Sequence, residues 1–264
     1  MTDNNFGRLS RLLLSSKIKN GQTILADEYF TAPFKIMKPF AKENGDISVM
    51  LLTASAGLMQ GDRQKITLNI GQNTALYLTS QAFEKIHKMT NGYAERATDI
   101  IMEDNSFLNY SPLPVIPFAQ SDYRAITNIS LTKSSKLIIS EVLSCGRYCC
   151  DERFLYKNYS SLIQTRREER LVYRDNTIYR PSQRDMENAG FYEGHTHLLS
   201  LTAFGFKPSE EIKRLLDGLI DVLSLDGGTS ITFDDDFVFR VLGNSGDELY
   251  KISEQATGII EKFK

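Results

Sequence analysis

Tryptophan is absent from the 264 residues. The indole platform on which saccharide sites commonly stack a sugar ring is therefore missing, which argues against a carbohydrate-binding domain. Cysteine occurs three times, at Cys145, Cys149 and Cys150. An odd number packed so closely is no disulfide framework, which implies reduced thiols. Histidine is equally scarce: His87, His195 and His197. There is no Gly-x-Ser-x-Gly elbow and no histidine near a marked nucleophile, so a serine or cysteine hydrolase fits badly. An excess of one charge is lacking too. The formal net charge is −2, without the basic surplus that neutralises a phosphate backbone, so nucleic acid is excluded as the main partner. Long apolar runs are missing near the N-terminus, where the best is Leu12 to Leu14. That is too short for a signal-peptide core or a membrane span, and the expectation is a cytosolic protein with no membrane contact. Apolar residues at 41% and charged residues at 24% are ordinary globular usage, so disorder is not expected.

What is present is strand rhythm. Residues 8–18 and 22–30 flank Asn20-Gly21, a strong hairpin signal. Residues 47–53 form a short apolar run, read as a strand buried on both faces. Ile66, Leu68 and Ile70 alternate with polar residues, and Gly71-Gln72-Asn73 is turn chemistry. The alternation returns at 75–79, 97–110, 125–132 and 135–143, with polar turns between. Short strands at regular spacing predict an all-β sandwich, barrel or solenoid, although no strict sequence repeat is visible. Pro112, Pro114 and Pro117 in "SPLPVIPF" (111–118) cannot sit inside a central strand, because each lacks a ladder donor. That piece is read as an extended apolar edge or crossing segment. If exposed, it makes the chain dependent on a partner for solubility.

The last quarter changes character. Ile212, Leu215, Leu216, Leu219 and Leu223 recur at helical spacing. A hairpin follows around Asp234-Asp235-Asp236. A second helix starts near Ser245, whose spacing to Glu248 is that of a capping box, with Leu249, Ile252, Ala256, Ile259, Ile260 and Phe263 as its stripe. The expected fold is mainly β: one domain over 1–264, with a β-sandwich or β-helix-like body over about 1–206. A helix–hairpin–helix unit over about 207–264 packs on it.

Three stretches invite a chemical reading. "ASAGLMQGD" (54–62) has Gly-x3-Gly spacing and ends in Asp62 where a phosphate loop carries Lys, so it reads as a turn whose glycines take positive φ and whose acid bonds backbone amides. Cys149 and Cys150, with His195 and His197 two apart on a strand, could form a metal centre; three small buried thiols and two ordinary strand histidines are the plainer alternative. "TRREER" (165–170) is an alternating-charge run, read as a solvated face. Residues alone thus lead to a scaffold or binding role rather than catalysis, with a Cys/His metalloenzyme as the rival.

Taken in order, six segments resemble one family, the urease accessory proteins called UreD, or UreH in some bacteria. They are "PFKIMKPF", "ASAGLMQGD", "TSQAFEKIHK", "LNYSPLPVIPF", "EVLSCGRYCCDERF" and "RREERLVYRDNTI". Gly57, Gly61, Asp62, Gly146 and Arg147 match the family pattern. Ala56, Gln60, His87 and the Cys150-Asp151 pair depart from it, as in a divergent member of the UreH branch. The resemblance implies a protein that is not an enzyme. It implies a complex with UreF, two copies of each, and through UreF with the GTPase UreG on apo-urease. It also implies nickel in transit rather than a tightly held cofactor, moving along an internal polar passage. By position, Asp62, Glu84, Glu141 and Asp175 fall where the family places passage-lining residues.

Overall fold

In the computed structural model residues 9–264 are described, and Arg8, with which the first strand was expected to begin, lies outside them. An opening hairpin joins β1 (Leu9–Lys19) to β2 (Gln22–Phe30). Asn20 and Gly21 both take positive φ, 52° and 75°, the type I′ geometry that matches strand twist. The short β3 (Phe34–Ile36) and β4 (Phe40–Ala41) follow. The chain then winds. β5 (Ile47–Thr53), β6 (Arg63–Ile70), β7 (Ala75–Gln81), β8 (Glu84–Ile86), β9 (Ala94–Met102), β10 (Phe107–Tyr110), β11 (Val115–Pro117), β12 (Asp122–Leu131), β13 (Lys136–Ser144) and β14 (Asn158–Arg167) trace successive coils. β15 (Arg170–Tyr179) and β16 (His197–Phe204) reverse direction. α1 (Ser209–Leu223), β17 (Asp226–Ile231), β18 (Phe237–Gly243) and α2 (Gly246–Ile260) complete the chain.

Each coil contributes one strand to each of two long sheets. The first sheet runs β15-β14-β12-β9-β6-β1-β2, and the second has the path β17-β18-β16-β13-β10-β7-β5-β3. Winding in one sense makes the coil strands parallel: β6, β9, β12 and β14 in the first sheet, and β5, β7, β10 and β13 in the second. A narrow third side links them, where β8 pairs in parallel with β11, and Leu58 bridges to Ile86. The architecture is a β-solenoid-like stack with two helices at its C-terminal end.

Three apolar cores follow from this layout. Between the sheets lie Leu12, Leu14, Val49, Leu68, Ile100 and Leu137, all buried. Their side chains alternate with outward ones, as the two-residue period requires. Behind the second sheet, Leu199, Leu201, Phe237, Phe239 and Val241 pack against α1 and α2. The buried stripe of α1 is Ile212, Leu216 and Ile220, while Leu215 and Leu223 of the expected stripe lie exposed on its flank. On α2 the Ser245 hydroxyl accepts from the Glu248 amide at 3.3 Å, as its N-cap position predicts. The third core, under the narrow side, gathers Leu58, Ile86, Val115, Leu143 and Tyr159. Here the structure corrects two expectations. The 111–118 segment is not an exposed apolar piece but the third side of a coil, with Val115 and Pro117 buried. "TRREER" is not a solvated face throughout. It is the β14–β15 turn, whose Arg167 makes a paired contact at 2.8 Å to both oxygens of the buried Asp236. Arg170 does the same to Asp234, so two arginines pin the β17–β18 hairpin.

Candidate functional site

The inward faces are not apolar throughout. Along β9 the inward positions read Ala94, Arg96, Thr98, Ile100 and Met102, polar at the start and apolar at the end. β13 runs the other way and reads Leu137, Ile139, Glu141 and Leu143. Register then stacks like positions from coil to coil. In the first sheet Thr98 pairs with Thr127, Thr127 with Ile163, and Ile163 with Asp175. In the second, Glu141 pairs with Ser200 and Ser200 with Arg240. The result is a polar band that crosses the strands and follows the axis of the stack. It lines a cavity of about 120 Å³, room for several water molecules.

Three charged features stand in this cavity. Glu84, at the start of β8, pairs with Arg96 of β9; both side chains are largely buried, at 17% and 15% exposure. The Arg96 Nε also donates to Gln64 Oε1 at 2.8 Å. Burial works against the guanidinium charge, but Glu84 more than offsets it, so Arg96 is held charged more firmly than a free arginine. Burial also keeps the Tyr110 and Tyr123 phenols protonated, with Arg96 opposing that shift.

The second feature is Asp175 on β15. It pairs with Arg240 of β18 and accepts from the hydroxyls of Tyr173 and Thr177, each at 3.2 Å. The Arg240 side chain is 49% exposed, so this pair sits where the cavity meets solvent.

The third is Glu141. Among the described residues it has no ion-pair partner. The buried Tyr159 hydroxyl, which has no other hydrogen-bond partner, stands close enough to act on its carboxyl. Burial raises the Glu141 pKa, and the Asp175 charge adds to the rise while Tyr159 and Arg96 oppose it. The surface that Glu141 retains is cavity wall.

Asp62 lies apart from this wall. Its Oδ2 accepts from the Met59 amide at 2.7 Å, and Gly57 and Gly61 have φ of 136° and 84°. Replacing Asp62 with alanine removes one charge-assisted bond from a half-buried turn. It is expected to cost about 1 kcal/mol in a thermal melt; a loss above about 3 kcal/mol would mean that the acid does more than hold its turn. Gly146 has φ of 143°, and Arg147 stacks over Phe118 at 4.4 Å and pairs with Glu152, which ties the third side together.

The cysteines and histidines do not assemble. Cys149 and Cys150 are exposed on a single helical turn, whereas Cys145 is buried. His195 binds Asp226 at 3.2 Å. His197 is buried against Gly246 at the start of α2, and burial pushes its imidazole down to about 4. No group of three or more His, Cys, Asp or Glu side chains among the described residues converges to hold a metal ion, and this includes the cavity carboxylates. None of the described helices is long and apolar enough to cross a membrane.

The model of the UreD urease accessory protein family matches residues 9–263. The chain belongs to the UreD family. Family members of known name lie close in sequence. Urease accessory protein UreD of Acetivibrio thermocellus is 37% identical over 259 residues, covering 97% of this chain and 99% of its own. Urease accessory protein UreH of Helicobacter pylori strain HPAG1 is 41% identical over 199 residues, covering 75% of each chain. That of strain G27 is 35% identical over 253 residues, covering 96% of this chain and 95% of its own. UreD and UreH names therefore both occur among its relatives.

Sequence reasoning about the family overlooked Arg96 and Arg240, which neutralise two of its acids. A signal existed for Arg96 alone. In "AERATDII" a lone arginine shares parity with the inward apolar positions, and such a charge needs an internal partner, whereas in "FVFRVLG" Arg240 has the parity opposite to the buried Phe237, Phe239 and Val241 and reads as a solvated residue.

Proposed function

We propose that this chain is a non-catalytic component of urease maturation that passes nickel along the polar band between its sheets. In this reading it binds a UreF-type partner directly, two copies of each, and through it the UreG GTPase. The assembly acts on apo-urease in the cytoplasm, and no cofactor is retained. The observation that carries the reading is the band itself. A solenoid of this kind is most stable with an apolar interior, yet Glu84, Glu141 and Asp175 line one internal cavity from its three sides. Such groups are costly without function. Oxygen donors that do not converge bind a borderline cation weakly, which suits cargo that has to leave.

The test is urease activation in cells carrying Glu141→Ala at limiting nickel. The expected result is a loss of at least tenfold while the complex with the UreF-type partner still co-purifies. Full activation with the complex intact would sink the reading. Glu141→Gln gives an independent check through pH. Because burial raises the pKa of Glu141, the native state keeps its proton after the unfolded chain has lost it. The carboxyl therefore costs stability as pH rises from the unfolded value, near 4.5, toward the raised folded value. The Gln variant is expected to melt above the parent at pH 7 and to match it at pH 4. Equal melting at both pH values would contradict the buried state of Glu141, which no cation offsets by direct pairing.

A further inference from the structure

Of the three carboxylates on the cavity wall, two carry a guanidinium and one does not. That asymmetry has a spatial order. The Arg96–Glu84 pair is buried on both sides, whereas the Arg240–Asp175 pair stands at the solvent end with Arg240 half-exposed. Arg240 shares a row with Ser200 and Glu141 on the second sheet. At the usual spacing its backbone lies about 10 Å from that of Glu141. Its guanidinium reaches across to Asp175 on the first sheet, and its Nε approaches Ser200 Oγ at 3.4 Å. Asp175 in turn is near enough for its charge to act on Glu141.

We propose that Arg240 is a tethered competing cation at the mouth of the cavity. It occupies Asp175, so a divalent metal ion gains that carboxylate only by displacing the guanidinium, and affinity at the mouth stays low enough for release. The proposal rests on the cation-passage reading. Two features of the site support it. A guanidinium and a metal ion compete for the same carboxylate oxygens, and Asp175 presents both of its oxygens to donors: Tyr173 and Arg240 on one, Thr177 on the other. Behind this pair, Glu141, which carries no guanidinium, and the buried Tyr159 hydroxyl beside it form an oxygen-donor station with no tethered cation to compete for it. Arg96 has the same relation to Glu84, but its burial makes it part of the structure rather than a movable latch.

The experiment is a titration of the full chain with Ni²⁺ alone, by calorimetry or competition with a coloured chelator. Arg240→Gln is expected to bind Ni²⁺ at least tenfold more tightly than the parent chain, because Asp175 is released beside Glu141. The gain should vanish in the Arg240→Gln/Asp175→Asn double variant, and Arg240→Lys, which keeps a competing charge, should restore affinity near that of the parent. Arg240 is half-exposed, so the single variants are expected to fold. Unchanged affinity in Arg240→Gln overturns the proposal, as does a gain that survives the loss of Asp175. The outcomes separate the two readings. If Glu141→Ala abolishes activation but Arg240→Gln binds no tighter, the latch falls and the passage stands. If Arg240→Gln binds tighter while Glu141→Ala activates fully, Arg240 guards a metal site that is no passage.

Discussion

Replacing Arg96 with methionine is expected to cost about 3–5 kcal/mol of folding stability. That is a large share of the roughly 5–15 kcal/mol that holds an ordinary domain together. The guanidinium is enclosed by the stack, paired with Glu84 and donating to Gln64 Oε1. Methionine fills much of the same space, so the loss is electrostatic. It leaves a buried carboxylate with no counter-ion and an amide oxygen with no donor. The double variant Arg96→Met/Glu84→Met should recover most of the loss, since a buried ion pair exchanged for apolar side chains is often neutral or stabilising. Urea unfolding of the parent and the three variants measures both effects. A single variant within about 1 kcal/mol of the parent would show that Glu84 finds water or another donor in the cavity. The contrast also separates structure from transport: the pair is dispensable for folding as a pair, and not as its halves.

The second large effect is at Gly57. Its φ of 136° is reached with little strain only by glycine, and a Cβ built there would lie 2.3 Å from the Lys85 carbonyl oxygen and 2.9 Å from the Lys85 Cβ. The close approach is functional for the fold. Leu58 and Ile86 bridge adjacent coils on the narrow third side, with the Leu58 amide on Lys85 O at 2.8 Å. Backbone strain and the clash each contribute about 1–3 kcal/mol, so Gly57→Ala should cost about 3 kcal/mol or more. Gly21→Ala is the control. That glycine has φ of 75° in the opening turn but nothing within 4 Å of its Cβ position, so only the conformational term of about 1 kcal/mol remains. Thermal melting of both variants gives the comparison, and a Gly57→Ala shift no larger than that of Gly21→Ala would remove the steric part of the explanation.

Much of the local structure was legible. The Asn20-Gly21 turn, the strand alternation in 63–70 and 75–79, the α2 cap at Ser245 and the buried stripe Leu249, Ile252, Ala256 and Ile260 all follow from short-range periodicity and turn chemistry. The stripe of α1 was less so. Whether Leu215 or Ile220 lies inside depends on how the helix rolls against Phe237 and Phe239, which its own period does not specify. The "TRREER" run shows the same limit for charge. An arginine in a polar turn reads as solvated until a buried Asp236, far along the chain, is brought to it.

The candidate site was legible as residue types and not as a place. Glu84, Glu141 and Asp175 could be singled out by resemblance to a family, but nothing local in the chain says that they share a cavity, or that Asp62 does not. The alternation of side chains assigns each residue to one of two faces, and it leaves open which strand lies next. What the sequence by itself determined is the mainly β character, the hairpins and the two helices, because those rest on interactions among residues a few positions apart. What only the tertiary structure decided is the winding, which pairs strands roughly thirty residues apart, and the polar band that this register assembles. It also decided that two of the band's three acids are answered by arginines and one is not. Electrostatic neutrality inside a protein is settled by neighbours in space, and those neighbours are chosen by the stacking of the coils.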